Sequence, residues 1–157
     1  MPTITIKNAH HLPDPGFGGT PYGNVTALKY GFEVDATGAV ANGNSINAVA
    51  VNDKVILGVI EAGTKLVDAV AIVTNACTAQ TAFNLGFEYV DGDDSAEVPQ
   101  DLAYLFAGAS SAAVAVIRRT VAKGSVRMPK NAYLVLTAKG AAHATDGKVE
   151  FYVQGIS

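Results

Sequence analysis

The sequence predicts an all-β fold, an antiparallel sandwich or jelly roll of about eight strands with one short helix and an extended N-terminal arm. Three observations predict it. Short runs rich in Val, Ile, Phe and Tyr recur along the chain, separated by breaks that carry Gly, Asn, Asp or Thr. Several of these runs alternate apolar with polar residues, the period of a strand that buries one face. Only one segment, near residues 98–112, has the spacing of a helix.

At 157 residues the chain has the length of one domain, large enough to bury about 70% of its extended surface. Residues 1–24 read as the extended arm and residues 25–157 as the sandwich domain. Thr3–Lys7 alternates as a short strand. The stretch Pro13–Gly23 then places three prolines and four glycines in eleven residues, which neither a helix nor a ladder tolerates. Phe17 and Tyr22 gain nothing in free solvent, so the arm is expected to lie in a groove of its own domain or of a neighbour.

From Val25 to Val34 the residues Thr26, Leu28, Tyr30, Phe32 and Val34 share one face. Asp35–Gly38 and Gly43–Ser45 read as turns, with Val40 and Ile46–Val51 as weak strands between them. The most informative stretch is Lys54–Val90. Val55–Ile60 is almost continuously apolar and should be buried on both faces. Glu61-Ala62-Gly63-Thr64-Lys65 puts Gly63 where a tight hairpin needs φ > 0. Leu66–Thr74 is a second run, and Thr81, Phe83, Leu85, Phe87 and Tyr89 form the buried face of a third. These three runs read as consecutive strands of a β-meander.

Beyond Asp91–Ser95, the most acidic point of the chain, Val98, Leu102, Leu105 and Phe106 recur at helical spacing. Pro99-Gln100-Asp101 suits a first turn, and Gly108 a stop. Val114–Thr120 returns to strand character, Val126–Met128 is a stub ended by Pro129, and Asn131–Ala138 is a buried strand. Lys139–Gly147 is a loop. In the final strand, Lys148–Gln154, the residues Val149, Phe151 and Val153 point one way and Lys148, Glu150, Tyr152 and Gln154 the other.

The composition excludes several functions. A net charge of −3 without a Lys/Arg block argues against nucleic acid as a partner. Arg118-Arg119 reads as part of a solvated strand face. No apolar run reaches the roughly 18 residues of a membrane helix, and the first residues lack the basic and apolar regions of a signal peptide. A single cysteine, Cys77, rules out an internal disulfide and fits folding in a reducing cytoplasm. The Ala-rich, charge-poor composition points toward assembly.

No catalytic, cofactor or metal site emerges. Asp91, Asp93, Asp94 and Glu97 lack the alternate spacing of a calcium loop and read as a solvated acidic loop. His10 and His11 are adjacent on an extended arm and point apart, so with His143 they make a poor ligand set. Cys77 sits in no nucleophile motif, Gly108–Ala112 lacks the nucleophile-elbow pattern, and Gly16-x-Gly18-Gly19 is followed by no helix. The chain is therefore expected not to be an enzyme and to need no cofactor.

The run Val55-Ile-Leu-Gly-Val-Ile-Glu-Ala-Gly-Thr-Lys-Leu-Val-Asp-Ala-Val-Ala-Ile-Val, followed by Thr81-Ala-Phe-Asn-Leu-Gly-Phe-Glu-Tyr-Val-Asp-Gly-Asp, resembles the jelly-roll head decoration (cement) proteins of tailed bacteriophages. The resemblance covers residues 55–93. It implies a non-enzymatic virion protein, made in the host cytoplasm, that docks as a dimer or trimer on the capsid exterior and clamps the shell. The major capsid protein and further copies of the chain would be its partners, with neither nucleic acid nor membrane involved. Leu12, Phe17 and Tyr22 are then the arm's candidate partner-binding residues, since buried aromatic anchors carry much of an interface's energy. The alternative is a jelly-roll carbohydrate- or receptor-binding module of a virion fibre or secreted protein. Tyr30, Tyr104 and Tyr152 would be its candidate platforms, although the chain has no Trp. A cupin-like enzyme ranks last, because its histidines would have to lie on strands.

Overall fold

A computed structural model describes residues 3–6 and 25–156. The arm residues Leu12, Phe17 and Tyr22, the pair His10-His11 and the proposed boundary at residue 24 lie outside the described residues. Ten strands follow one another: β1 (Thr3–Thr5), β2 (Val25–Val34), β3 (Lys54–Ile60), β4 (Lys65–Asn75), β5 (Ala82–Tyr89), β6 (Asp101–Ser110), β7 (Ala115–Arg118), β8 (Val126–Arg127), β9 (Ala132–Lys139) and β10 (Gly147–Ile156). They form two sheets. One has the order β1-β3-β9-β5-β6; the other has β2-β10-β4-β7, with β8 also paired to β4. The β1–β3 pair is parallel and the other pairs are antiparallel. The sandwich expectation holds, with ten strands among the described residues rather than about eight.

Alternation decides which residues enter the core. In β10 every second residue, Val149, Phe151 and Val153, is fully buried, and β2 buries Tyr30, Phe32 and Val34. From the other sheet come Phe83, Leu85, Phe87 and Tyr89 of β5, with Leu134 and Leu136 of β9. Phe151 meets Phe83 edge-on at 5.2 Å and Phe106 at 6.5 Å, and Phe83 meets Phe106 at 5.8 Å. This trio joins the two sheets, and each aromatic pair adds about 0.5–1.5 kcal/mol beyond its buried area.

Two polar contacts tie the sheets along their sides. The Tyr30 hydroxyl donates to the Val59 carbonyl across one side at 3.0 Å. Burial, with Glu61 nearby, raises its pKa well above the ordinary phenol value. On the other side the Arg119 guanidinium donates to the Val67 carbonyl of β4 (3.2 Å) and to the Tyr104 carbonyl of β6 (3.4 Å). Arg119 is thus a cross-sheet tie, whereas Arg118 beside it is exposed as expected.

Two expectations are corrected. The meander is not formed: β3 and β5 lie in one sheet and β4 in the other. Gly63 does take positive φ (85°), but its turn carries the chain between sheets. The turn's amides bond outside a hairpin, Gly63 N–H to the Met128 carbonyl (2.7 Å) and Ala62 N–H to Asn131 Oδ1 (2.8 Å).

The helix expected over 98–112 is instead the strand β6. Its spacing comes from bulges. Between the pairs Phe83↔Ala109 and Phe87↔Asp101, β6 advances eight residues while β5 advances four. The extra residues place Tyr104, Leu105 and Phe106 consecutively in the interior, which imitates a helical stripe. Gly108 has φ 63° beside a register shift, where a left-handed conformation is needed, rather than ending a helix.

The same irregularity folds the start of β6 over β5. A Cβ on Gly86 would lie 2.0 Å from the Asp101 carbonyl oxygen, so only glycine admits this crossing. It sets Leu102 among a small apolar cluster with Ile6, Ile56, Tyr133 and Val135. Gly86→Ala is expected to cost about 1–3 kcal/mol by overpacking, read by chemical denaturation. Gly31→Ala, where a Cβ meets nothing within 4 Å, should stay within about 0.5 kcal/mol of wild type. Equal effects at the two sites would contradict the crossing.

Candidate interaction flank

The β5–β6 connection and the β7–β9 segment lie against each other along one flank of the sandwich. A shallow groove runs between them. Glu97, Val98, Gln100 and Asp101 line one wall, Lys123–Val126 the other, and Tyr104 lies between. Tyr104 organises the place. Its ring packs on Phe87 at 5.4 Å, the Arg119 guanidinium sits 4.9 Å and the Lys123 ammonium 5.8 Å from its centroid, and its hydroxyl donates to the Gly124 carbonyl.

Ion pairs join the two walls. Lys123 pairs with Asp101, and Lys130 with Asp91 at 2.9 Å. The hydrogen bond from Lys130 holds the Asp91 carboxyl below its ordinary value and raises the lysine in return. Burial pushes the Asp101 carboxyl up, but Lys123 and the Ala103 N–H outweigh it and hold the group low. The acidic loop is thus partly neutralised from across the groove. Asp94 instead accepts the N–H groups of Ser95 (2.8 Å) and Gln100 (2.7 Å). Among the described residues no group of His, Cys, Asp and Glu is arranged to hold a metal.

Sequence reasoning missed this flank, although a signal was present. From Leu102 to Thr145 the chain has no Asp or Glu but six Lys or Arg, and five acids crowd into the eleven residues before it. That asymmetry becomes two facing walls.

The other candidate residues lie apart. Cys77 is buried at the opposite end of β5, where a Cβ on Gly147 would lie 2.4 Å from its sulfur. Burial raises its thiol pKa, which makes it a poor nucleophile. Of the candidate sugar platforms, Tyr30 and Tyr104 are buried. Tyr152 is half-buried, with its hydroxyl on Glu150 (3.2 Å).

His143 is 2% exposed in the loop before β10. Its backbone N–H donates to the Val49 carbonyl (2.9 Å), Phe32 meets its ring edge-on at 5.4 Å, and Nδ1 has no partner among the described residues.

The chain has the fold of known viral capsid components. It is similar over 99% of its length to a chain in the capsid of Ralstonia phage GP4, covering 98% of that chain, with a TM-score of 0.64 and 16% identity. It is also similar to a chain of the cyanophage Pam1 capsid asymmetric unit, at a TM-score of 0.57 and 12% identity, covering 93% of this chain and 92% of that one. At these identities the likeness is one of fold. No family model and no curated protein matches the chain.

Burial holds the His143 pKa below its ordinary 6.5, so the unfolded chain takes up the proton first. The stability that depends on neutral His143 is complete above pH 6.5 and declines as pH falls below it. Asp35, its pKa lowered by the Thr37 hydroxyl, loses its contribution only below its ordinary 3.8. The melting temperature should therefore fall between about pH 6.5 and 4.5, and His143→Leu should flatten that segment. An unchanged slope in the variant would remove His143 as the cause.

Proposed function

We propose that this chain is a non-enzymatic virion structural protein that docks on the outer capsid surface as an oligomer and stabilises the shell. The observation that carries the reading is the likeness of fold, over nearly the whole chain, to chains of two phage capsids. In this reading the major capsid protein and further copies of the chain are the partners. The protein is made in the host cytoplasm and ends on the capsid exterior. Many identical attachments let a modest affinity per copy hold firmly. The net charge of −3 favours protein over nucleic acid as the contacted surface.

The sugar-binding alternative loses support, because a sugar platform needs an exposed ring. Tyr30 and Tyr104 are buried, and the large apolar residues exposed among the described residues are Val and Ile, with no aromatic.

The N-terminal arm is proposed to carry part of the attachment through Leu12, Phe17 and Tyr22. Replacing Phe17 and Tyr22, or all three residues, by Ala should weaken binding to shells that lack the protein by about tenfold or more, with little change in melting. Undiminished binding by either variant would remove the arm from the attachment.

A further inference from the structure

We infer that the flank of residues 91–101 and 118–130 is where two copies of this chain meet, the acidic wall of one against the basic wall of the other. The inference rests on the oligomeric reading proposed above and names the surface that would carry it.

The facing of an acidic wall by a basic one marks this surface. On the outer face of the second sheet opposite charges pair within the chain, Lys29 with Glu150 at 3.3 Å and Lys148 with Glu33 at 3.8 Å. The free edge of β2 is closed at its end by residues 39–41, with Ala41 N–H on the Glu33 carbonyl and Asp35 N–H on the Ala39 carbonyl. The flank differs. Its inner charges pair, Lys123 with Asp101 and Lys130 with Asp91, which fixes the two walls side by side. Its outer charges do not. Asp94 and Glu97 on one wall, and Arg118 and Arg127 on the other, take part in no ion pair among the described residues, and Arg127 is held in place by a hydrogen bond from Nη1 to the Gly63 carbonyl.

Adjacent walls of opposite sign are self-complementary under a twofold axis. If Glu97 of one copy faces Arg127 of the next, the reciprocal pair forms automatically, so each attractive contact is made twice. The flank also presents Val90, 43% exposed beside Asp91, and Val116, 68% exposed, two residues from Arg118. Their burial would add the apolar area that charge pairs alone do not supply.

The test is sedimentation of the full chain against ionic strength, with charge reversals. The chain should self-associate at low salt and dissociate toward about 1 M, where screening acts within about 3 Å. Glu97→Lys and Arg127→Glu should each weaken association about tenfold or more, and the double variant should recover most of the loss. A monomer at low salt overturns the inference. Association that neither single reversal weakens, or that the double fails to recover while all three variants melt like wild type, also overturns it. Shell attachment is measured separately, so failure here leaves the capsid reading standing.

Discussion

The contact of Phe151 with Phe83 and Phe106 is the constraint on which the remaining structure depends. Phe151 lies in β10, which pairs with both β2 and β4, so its position governs the second sheet. Phe83 and Phe106 lie in β5 and β6, and β5 also pairs with β9 along its whole length. Seating one ring between two therefore aligns the central strands of both layers. Losing it would cost about 3–5 kcal/mol, a large share of a domain's total stability. The side ties through Tyr30 and Arg119 act on sheets already brought together by this contact.

Accommodating Phe106 gives β6 its irregular course. Because Tyr104, Leu105 and Phe106 all turn inward, the strand bulges, its start crosses Gly86, and Tyr104 reaches the groove. Core packing and the candidate interface are thus parts of one irregularity. The Tyr104 ring packs against Phe87 in the core and also holds the Arg119 and Lys123 cations.

Much of the fold was legible because burial on one face writes a period of two into the sequence. Tyr30-Phe32-Val34, Phe83-Leu85-Phe87-Tyr89 and Val149-Phe151-Val153 each share one face in the alternation, and in each case those residues are buried. Strand pairing was not legible. Nothing in Val55–Ile60 says that its partner is β9, nearly eighty residues on, rather than β4 next to it. The false helix at 98–112 has a physical cause, since a bulge shifts the side-chain period and mimics a 3.6-residue stripe. The flank went unread because its signal is a lack of acids over a long span, whereas the motifs sought there were clusters. The solvated strand face expected for Arg118-Arg119 is found at Arg118 alone, since the sequence does not say that Arg119 turns inward to two carbonyls.

A stapled, two-layer sandwich with an acidic wall facing a basic one suits the proposed role of occupying identical sites many times. For the proposed virion role the most direct measurement is the copy number of this chain in purified virus particles, relative to the major shell protein. The account predicts a fixed, simple ratio at high copy. A handful of copies per particle, or none, would contradict it.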